Sequence, residues 1–151
     1  MLPQDFKEFL QLLNEKKVEY LIVGGYAVAL QGYPRYTGDI DIWFNPFSDN
    51  IRKVLNSIIE FGFSSLNITE KDLIKPNTVI QFGFPPLRID LLNELDGVNF
   101  EVCYKNKNIL LLDDLEINLI NIEDLIVNKK VTGRHKDLDD IEHLSQFQEK
   151  K

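Results

Sequence analysis

The stretch GGYAVALQGYPRYTGDIDIWF, Gly24 to Phe44, opens on a diglycine and closes on two aspartates set one residue apart in an apolar run. DIDIWF, Asp39 to Phe44, alternates with period two and reads as a strand. Asp39 and Asp41 then share one side, roughly 6.6 Å apart at Cα, while Ile40, Ile42 and Phe44 take the other and can fill a core. Like charges on one strand face repel, and desolvating carboxylates is costly unless a cation or hydrogen bonds compensate. Two carboxylates at this spacing can clamp one or two divalent cations, since Mg²⁺ takes carboxylates together with phosphates and water. A solvated edge strand with two outward polar residues accounts for the spacing equally well.

Upstream, Phe6, Phe9, Leu10 and Leu13 recur at helical spacing, so Pro3 to Lys17 reads as an amphipathic helix. VEYLIV, Val18 to Val23, is rich in strand formers; Gly24-Gly25 breaks it, and a short helix follows to Gly32. Downstream, Pro46 ends the DIDIWF strand, and Ser48 or Asp49 can cap a helix through Glu60 with Ile51, Val54, Leu55, Ile58 and Ile59 inward. TVIQFGF and LRIDLLN read as strands around Pro85-Pro86. VNFEVCY, KNILLL and LEINLI read as further strands. NIEDLIVNKK reads as a helix from Asn121 that breaks at Gly133, and KDLDDIEHLSQF as a last helix with Leu138, Ile141 and Leu144 inward. Helices first and last around a strand-rich middle predict an α+β fold, a mixed sheet with helices mainly on one face.

The 151 residues predict a single domain spanning 1–151, which can bury roughly 70% of its unfolded surface. At 44% hydrophobic and 27% charged, the composition is that of an ordinary globular protein. One cysteine, Cys103, excludes an intramolecular disulfide and points to a reducing compartment, so a cytoplasmic location is expected. Neither a leader peptide nor a membrane span is expected. A net charge of −7 argues against a broad grip on nucleic acid and leaves room for a local basic pocket.

In RIDLL, Ile89 and Leu91 share one face and Arg88 and Asp90 the other. If this strand lies beside DIDIWF, Asp90 joins Asp39 and Asp41, and three converging carboxylates need a metal. By itself Asp90 reads more simply as a surface residue of an amphipathic strand. Gly24-Gly25, between strand and helix, lets backbone amides approach an anion, or serves only as a tight turn. No dinucleotide fingerprint and no P-loop is present. Lys129, Arg134 and Lys136 can converge around Gly133 to hold a triphosphate. They can also be ordinary helix charges, with Lys129 at a C-terminus and Lys136–Asp140 an i,i+4 pair. Tyr26, Tyr33, Tyr36 and Trp43 can stack a base or fill core and rim, and His135 and His143 have no metal-ligand spacing.

Together LIVGGYAV, GDIDIWF and RIDLL resemble the nucleotidyltransferase superfamily of DNA polymerase beta-like folds, whose pattern is a strand, a G[GS] turn into a helix, [DE]h[DE]h on the next strand and a later third carboxylate. The ending DLIVNKKVTGRHKDLDDIEHL is similar to the close of small bacterial members, among them antibiotic and toxin–antitoxin nucleotidyltransferases. The resemblance runs from about Val18 to Leu144 and is thinnest between Val98 and Asn121. It implies that Asp39, Asp41 and Asp90 bind two Mg²⁺ ions, or Mn²⁺ in their place, and act in catalysis. Asp41 would bridge the ions, and Asp90 would help deprotonate an acceptor hydroxyl. It further implies that Gly24 and Gly25 cradle the triphosphate of an NTP substrate, with Arg35, Thr37, Lys129, Arg134 and Lys136 as nucleotide-binding residues. Many members have serine at the position of Gly25, so phosphate holding here would rest on backbone amides and a neighbouring cation.

The implied reaction moves a nucleoside monophosphate to a hydroxyl on a small molecule, a protein or an RNA end, the last being the one local use for nucleic acid. A homodimer or cognate partner protein could complete the pocket. The alternative is a noncatalytic nucleotide- or partner-binding module of a two-gene, toxin–antitoxin-like system. Dehalogenase-like phosphatases and glycosyltransferases also use D-x-D, but the flanking residues here fit them less well.

Overall fold

The computed structural model describes residues 2–32, 38–84, 86–133 and 135–149. The chain runs α1 (Gln4–Glu15), β1 (Tyr20–Val23), α2 (Gly24–Leu30), β2 (Asp39–Phe44) and α3 (Ser48–Ile58). A π turn (Ile59–Phe63) and a 3₁₀ turn (Ser64–Leu66) lead to α4 (Glu70–Ile74), β3 (Val79–Phe84) and β4 (Leu87–Leu92). Then come α5 (Phe100–Lys105), β5 (Asn108–Leu112), β6 (Leu115–Leu119), α6 (Ile122–Thr132) and α7 (His135–Glu149).

The strands form one mixed sheet in the order β3-β4-β2-β1-β6-β5. β2 lies at its heart, antiparallel to β1 and parallel to β4. Alternation sends Ile40, Ile42, Ile89 and Phe82 to one face, all buried. There Phe9 of α1 meets Phe82 edge to face, with ring centroids 5.1 Å apart, and Phe61 of the π turn packs on both. Phe6, Phe9, Leu10 and Leu13 are all buried, as the helical spacing predicts. The other face carries Asp39, Asp41 and Trp43 of β2 and Arg88, Asp90 and Leu92 of β4. Its far end is closed by α5, where Phe100 stands edge-on to Trp43 at 5.0 Å. Trp43 is therefore a core residue, and Tyr26 packs against Phe6. Among the described residues no helix is long and apolar enough to cross a membrane.

Four local expectations are corrected. Val98 to Tyr104 was expected as a strand; Phe100–Lys105 is a helix, because the Asn99 side chain caps it by accepting from Val102 N at 3.2 Å and Phe100 and Cys103 share its buried side. The helix after Pro46 has Phe47 at its N-cap with no side-chain cap, in place of Ser48 or Asp49. That helix ends in a π turn, which rotates Ile59 outward while Ile51, Val54 and Ile58 stay buried. In α7, Leu138 is 53% exposed, and the inward face is Asp137, Asp140 and Leu144. α4, which the hydrophobic pattern does not signal, is held by a Thr69–Asp72 capping box.

Candidate functional site

The sheet register assembles the site. β2 and β4 run parallel with Asp41 opposite Asp90 and Asp39 opposite Arg88, while Val23, the last residue of β1, faces Asp41 from the other side. Asp41 and Asp90 are half-buried neighbours and Asp39 is exposed at the rim. The chain leaves β1 at Gly24, whose φ of +66° is a left-handed conformation that glycine adopts without strain. A side chain there would collide with the Asp41 carboxylate. Gly24 is thus required twice, by its backbone angle and by the carboxylate lying against it.

The electrostatics of this pair are unbalanced. Burial, and then the charge of Asp90, push the Asp41 carboxyl up to about 7; a hydrogen bond to Asp90 and the charge of Asp39 act the same way, and Lys129 opposes them. Burial and the charge of Asp39 also raise Asp90, against hydrogen bonds from Gln81 and Asp41 and the charge of Arg88. When protonated, Asp41 donates to Asp90. Asp90 Oδ1 is nonetheless buried with no hydrogen-bond partner among the described residues. A buried carboxylate oxygen without a partner, beside a second carboxylate, has the chemistry of a cation ligand. Among the described residues no three acidic, histidine or cysteine groups stand close enough to make a ready cage. The closely set unit is the Asp41–Asp90 pair, with Asp39 one step along the strand.

These residues open on a cavity of about 390 Å³ between the sheet and α6–α7. Gly24, Asp41 and Asp90 line one wall, Lys129, Thr132 and Asp137 another, and Asn77, Thr78, Glu94 and Asp96 the mouth. Lys129 is buried, and its Nζ lies 3.2 Å from Asp137 Oδ1 and 3.0 Å from Asp140 Oδ2. Thr132 Oγ1 donates to Asp137 Oδ2 at 2.7 Å. Gly133, with φ +65°, caps α6 and turns the chain so that α7 folds back along it. Asp137 and Asp140 of KDLDD are therefore interior residues, while Asp139 between them is exposed. The i,i+3 spacing of Asp137 and Asp140 puts them on one helix face, and that signal was available beside the lysine preceding the glycine break. Lys136 lies on α7, with its side chain outside the described atoms; Arg35, Thr37, Arg134, Tyr33 and Tyr36 lie outside the described residues.

A family model described as "Nucleotidyltransferase of unknown function" matches residues 2–148. Solved structures share the fold at low identity. A Thermotoga maritima protein provisionally described as a nucleotidyltransferase is 14% identical over 97% of this chain and 91% of its own, with a TM-score of 0.60. The lincosamide antibiotic adenylyltransferase LnuA, solved with lincomycin bound, is 19% identical over 97% of this chain and 98% of its own, with a TM-score of 0.59. A nucleotidyltransferase-like antigenic protein from Paracoccidioides brasiliensis is 16% identical over 93% of this chain and 74% of its own, with a TM-score of 0.58. No curated protein matches the chain.

Proposed function

We propose, from the premise that this chain belongs to the nucleotidyltransferase family, that it transfers a nucleoside monophosphate from an NTP to an acceptor hydroxyl. The observation that carries this reading is the Asp41–Asp90 pair lining a cavity, with Asp90 Oδ1 buried and unpartnered among the described residues and the Gly24 turn pressed against Asp41. That donor set fits a divalent cation, and Asp39, Asp41 and Asp90 would hold it as Mg²⁺ or Mn²⁺. When bound, a pair of such ions supplies Lewis acidity, lowering the pKa of the attacking hydroxyl and neutralising the departing pyrophosphate.

The chain's own groups do the rest. Asp90 helps to take up the hydroxyl proton. The acceptor oxygen bonds to the α-phosphorus while the bond to the β-phosphate bridging oxygen breaks. The turn at Gly24 and Gly25 keeps side chains off the backbone amides that face the triphosphate. Lys129, already engaged by Asp137 and Asp140, contributes its charge to the cavity it lines. Arg35, Thr37, Arg134 and Lys136 belong to the same reading as phosphate ligands. A cavity of about 390 Å³ is in the range of small-molecule sites, and the acceptor is a small molecule, a protein side chain or an RNA end.

The test is incubation with each labelled NTP, Mg²⁺ and a cell extract, followed by identification of what becomes labelled. Label transferred by the native chain and absent with Asp41→Asn supports the reading. A rise in melting temperature with Mg²⁺ and NTP but no transfer would move the protein to a binding module, and neither response would overturn both.

A further inference from the structure

We infer that β5 is a self-pairing edge, through which two copies of this chain join into one continuous sheet. β5 ends the strand order, so one side of its backbone pairs with β6 and the other meets no strand among the described residues. The opposite edge, β3, is blunted by Gly83 at φ +105°. β5, Asn108–Leu112, has no proline, glycine or charged residue within it. Its Ile109 and Leu111 are 59% and 67% exposed, on one face, in a run that would ordinarily be protected.

The hydrogen-bond parity fits. The β5–β6 turn is the two-residue Asp113-Asp114, both at positive φ as a type I′ turn requires, so Leu112 and Leu115 form the closing bonded pair. Alternation then directs the N–H and C=O of Leu110 toward β6 and those of Ile109 and Leu111 outward. An antiparallel second copy centred on Leu110 places Ile109 against Leu111 of that copy, and the reverse, as two bonded pairs. Every outward group between Ile109 and Leu111 is satisfied, and four exposed aliphatic side chains meet on one face.

Charge selects this occupant. The segment reads KNKNILLLDD, basic before the strand and acidic after it. The antiparallel register centred on Leu110 brings Lys107 to Asp113 of the second copy at both ends, whereas a parallel pairing would oppose like charges. Lys107 Nζ now lies 4.0 Å from the Tyr104 ring centroid, and Asp113 accepts from Leu2 N at 3.4 Å; both groups keep further hydrogen-bonding capacity. The interface is isologous and therefore closed at two copies.

Sedimentation of the full chain across micromolar concentrations should show a reversible species of twice the 17.6 kDa chain mass; a monomer throughout overturns the inference. Leu111→Lys, at an exposed position, should keep the circular dichroism spectrum and lose the dimer; a persistent dimer overturns it. Lys107→Glu and Asp113→Lys should each weaken self-association about tenfold, two symmetric ion pairs being lost, and an equimolar mixture should restore association as a heterodimer. Should the turn not tolerate Asp113→Lys, Leu110→Cys decides the register. The two copies of residue 110 face each other across the two-fold, so mild oxidation should yield a disulfide-linked dimer, the native Cys103 being buried. No cross-link would overturn the register.

Discussion

Two pairs of carboxylates lie within the same cavity region, and they are neutralised in opposite ways. Asp137 and Asp140, fully buried on α7, share the ammonium of Lys129. Asp41 and Asp90, on neighbouring strands, have no cation fixed between them among the described residues; they hydrogen-bond to each other, and one oxygen is left without a partner there. A buried charge with an internal counterion is a structural element, because the chain itself meets the desolvation cost. A carboxylate pair without one is compensated from outside, and this separates the site from the scaffold where burial and residue type do not. Lys129 connects the two, since its charge is also felt by Asp41.

The largest expected effect breaks the sheet pair. Asp41→Asn should lower nucleotidyl transfer by about a thousandfold or more, in line with removal of one preorganised electrostatic group, while leaving the chain folded. Loss of folding in a melt would instead make Asp41 structural, like its counterparts on α7. The converse substitution, Lys129→Met, should cost about 3–5 kcal/mol, because it removes the buried ammonium that Asp137 and Asp140 share. Urea unfolding would measure this, and adding Asp137→Asn and Asp140→Asn to Lys129→Met should recover part of the loss.

A smaller effect is expected at Gly24→Ala, about 1–3 kcal/mol from left-handed strain, together with reduced activity as Asp41 is displaced. Activity unchanged from the native level would detach Gly24 from the site. The mildest test is a slope. A carboxyl raised to about 7 in the folded chain, from its ordinary 3.8, binds its proton more tightly folded than unfolded. The metal-free protein should therefore lose stability as pH rises from about 4 to 7. Burial sets this window first, then the charges of Asp90 and Asp39, with Lys129 opposing them. Melting curves of native and Asp41→Asn proteins should differ in slope there, the variant being flatter, and added Mg²⁺ with NTP should reverse the trend above pH 7.

How much could be read in advance follows the same division. DIDIWF occupies its strand from Asp39 to Phe44 as its alternation requires, and Phe6, Phe9, Leu10 and Leu13 are buried at the spacing that revealed them. Asn121 caps α6 and Gly133 ends it, both from local chemistry. The failures have two causes, one local and one across elements. Val98 to Tyr104 is apolar enough for a strand, but one Asn99 side chain tips it into a helix. In α7 the apolar residues suggested which face turns inward, and Lys129, on another helix, turned Asp137 and Asp140 inward instead. Patterns within one element are legible, and partners across elements are not.

Residue order alone determined which side chains could bind a cation. It placed Asp39 and Asp41 on one strand face, a diglycine before a short helix, and a third aspartate on a later amphipathic strand, because alternation and turn chemistry act over a few residues. Only the tertiary structure decided that Asp90 stands opposite Asp41, that Gly24 lies against the Asp41 carboxylate, and that Lys129 reaches two aspartates of α7. Register and burial depend on which distant segments meet, and the energy of a charge depends on what surrounds it once they have.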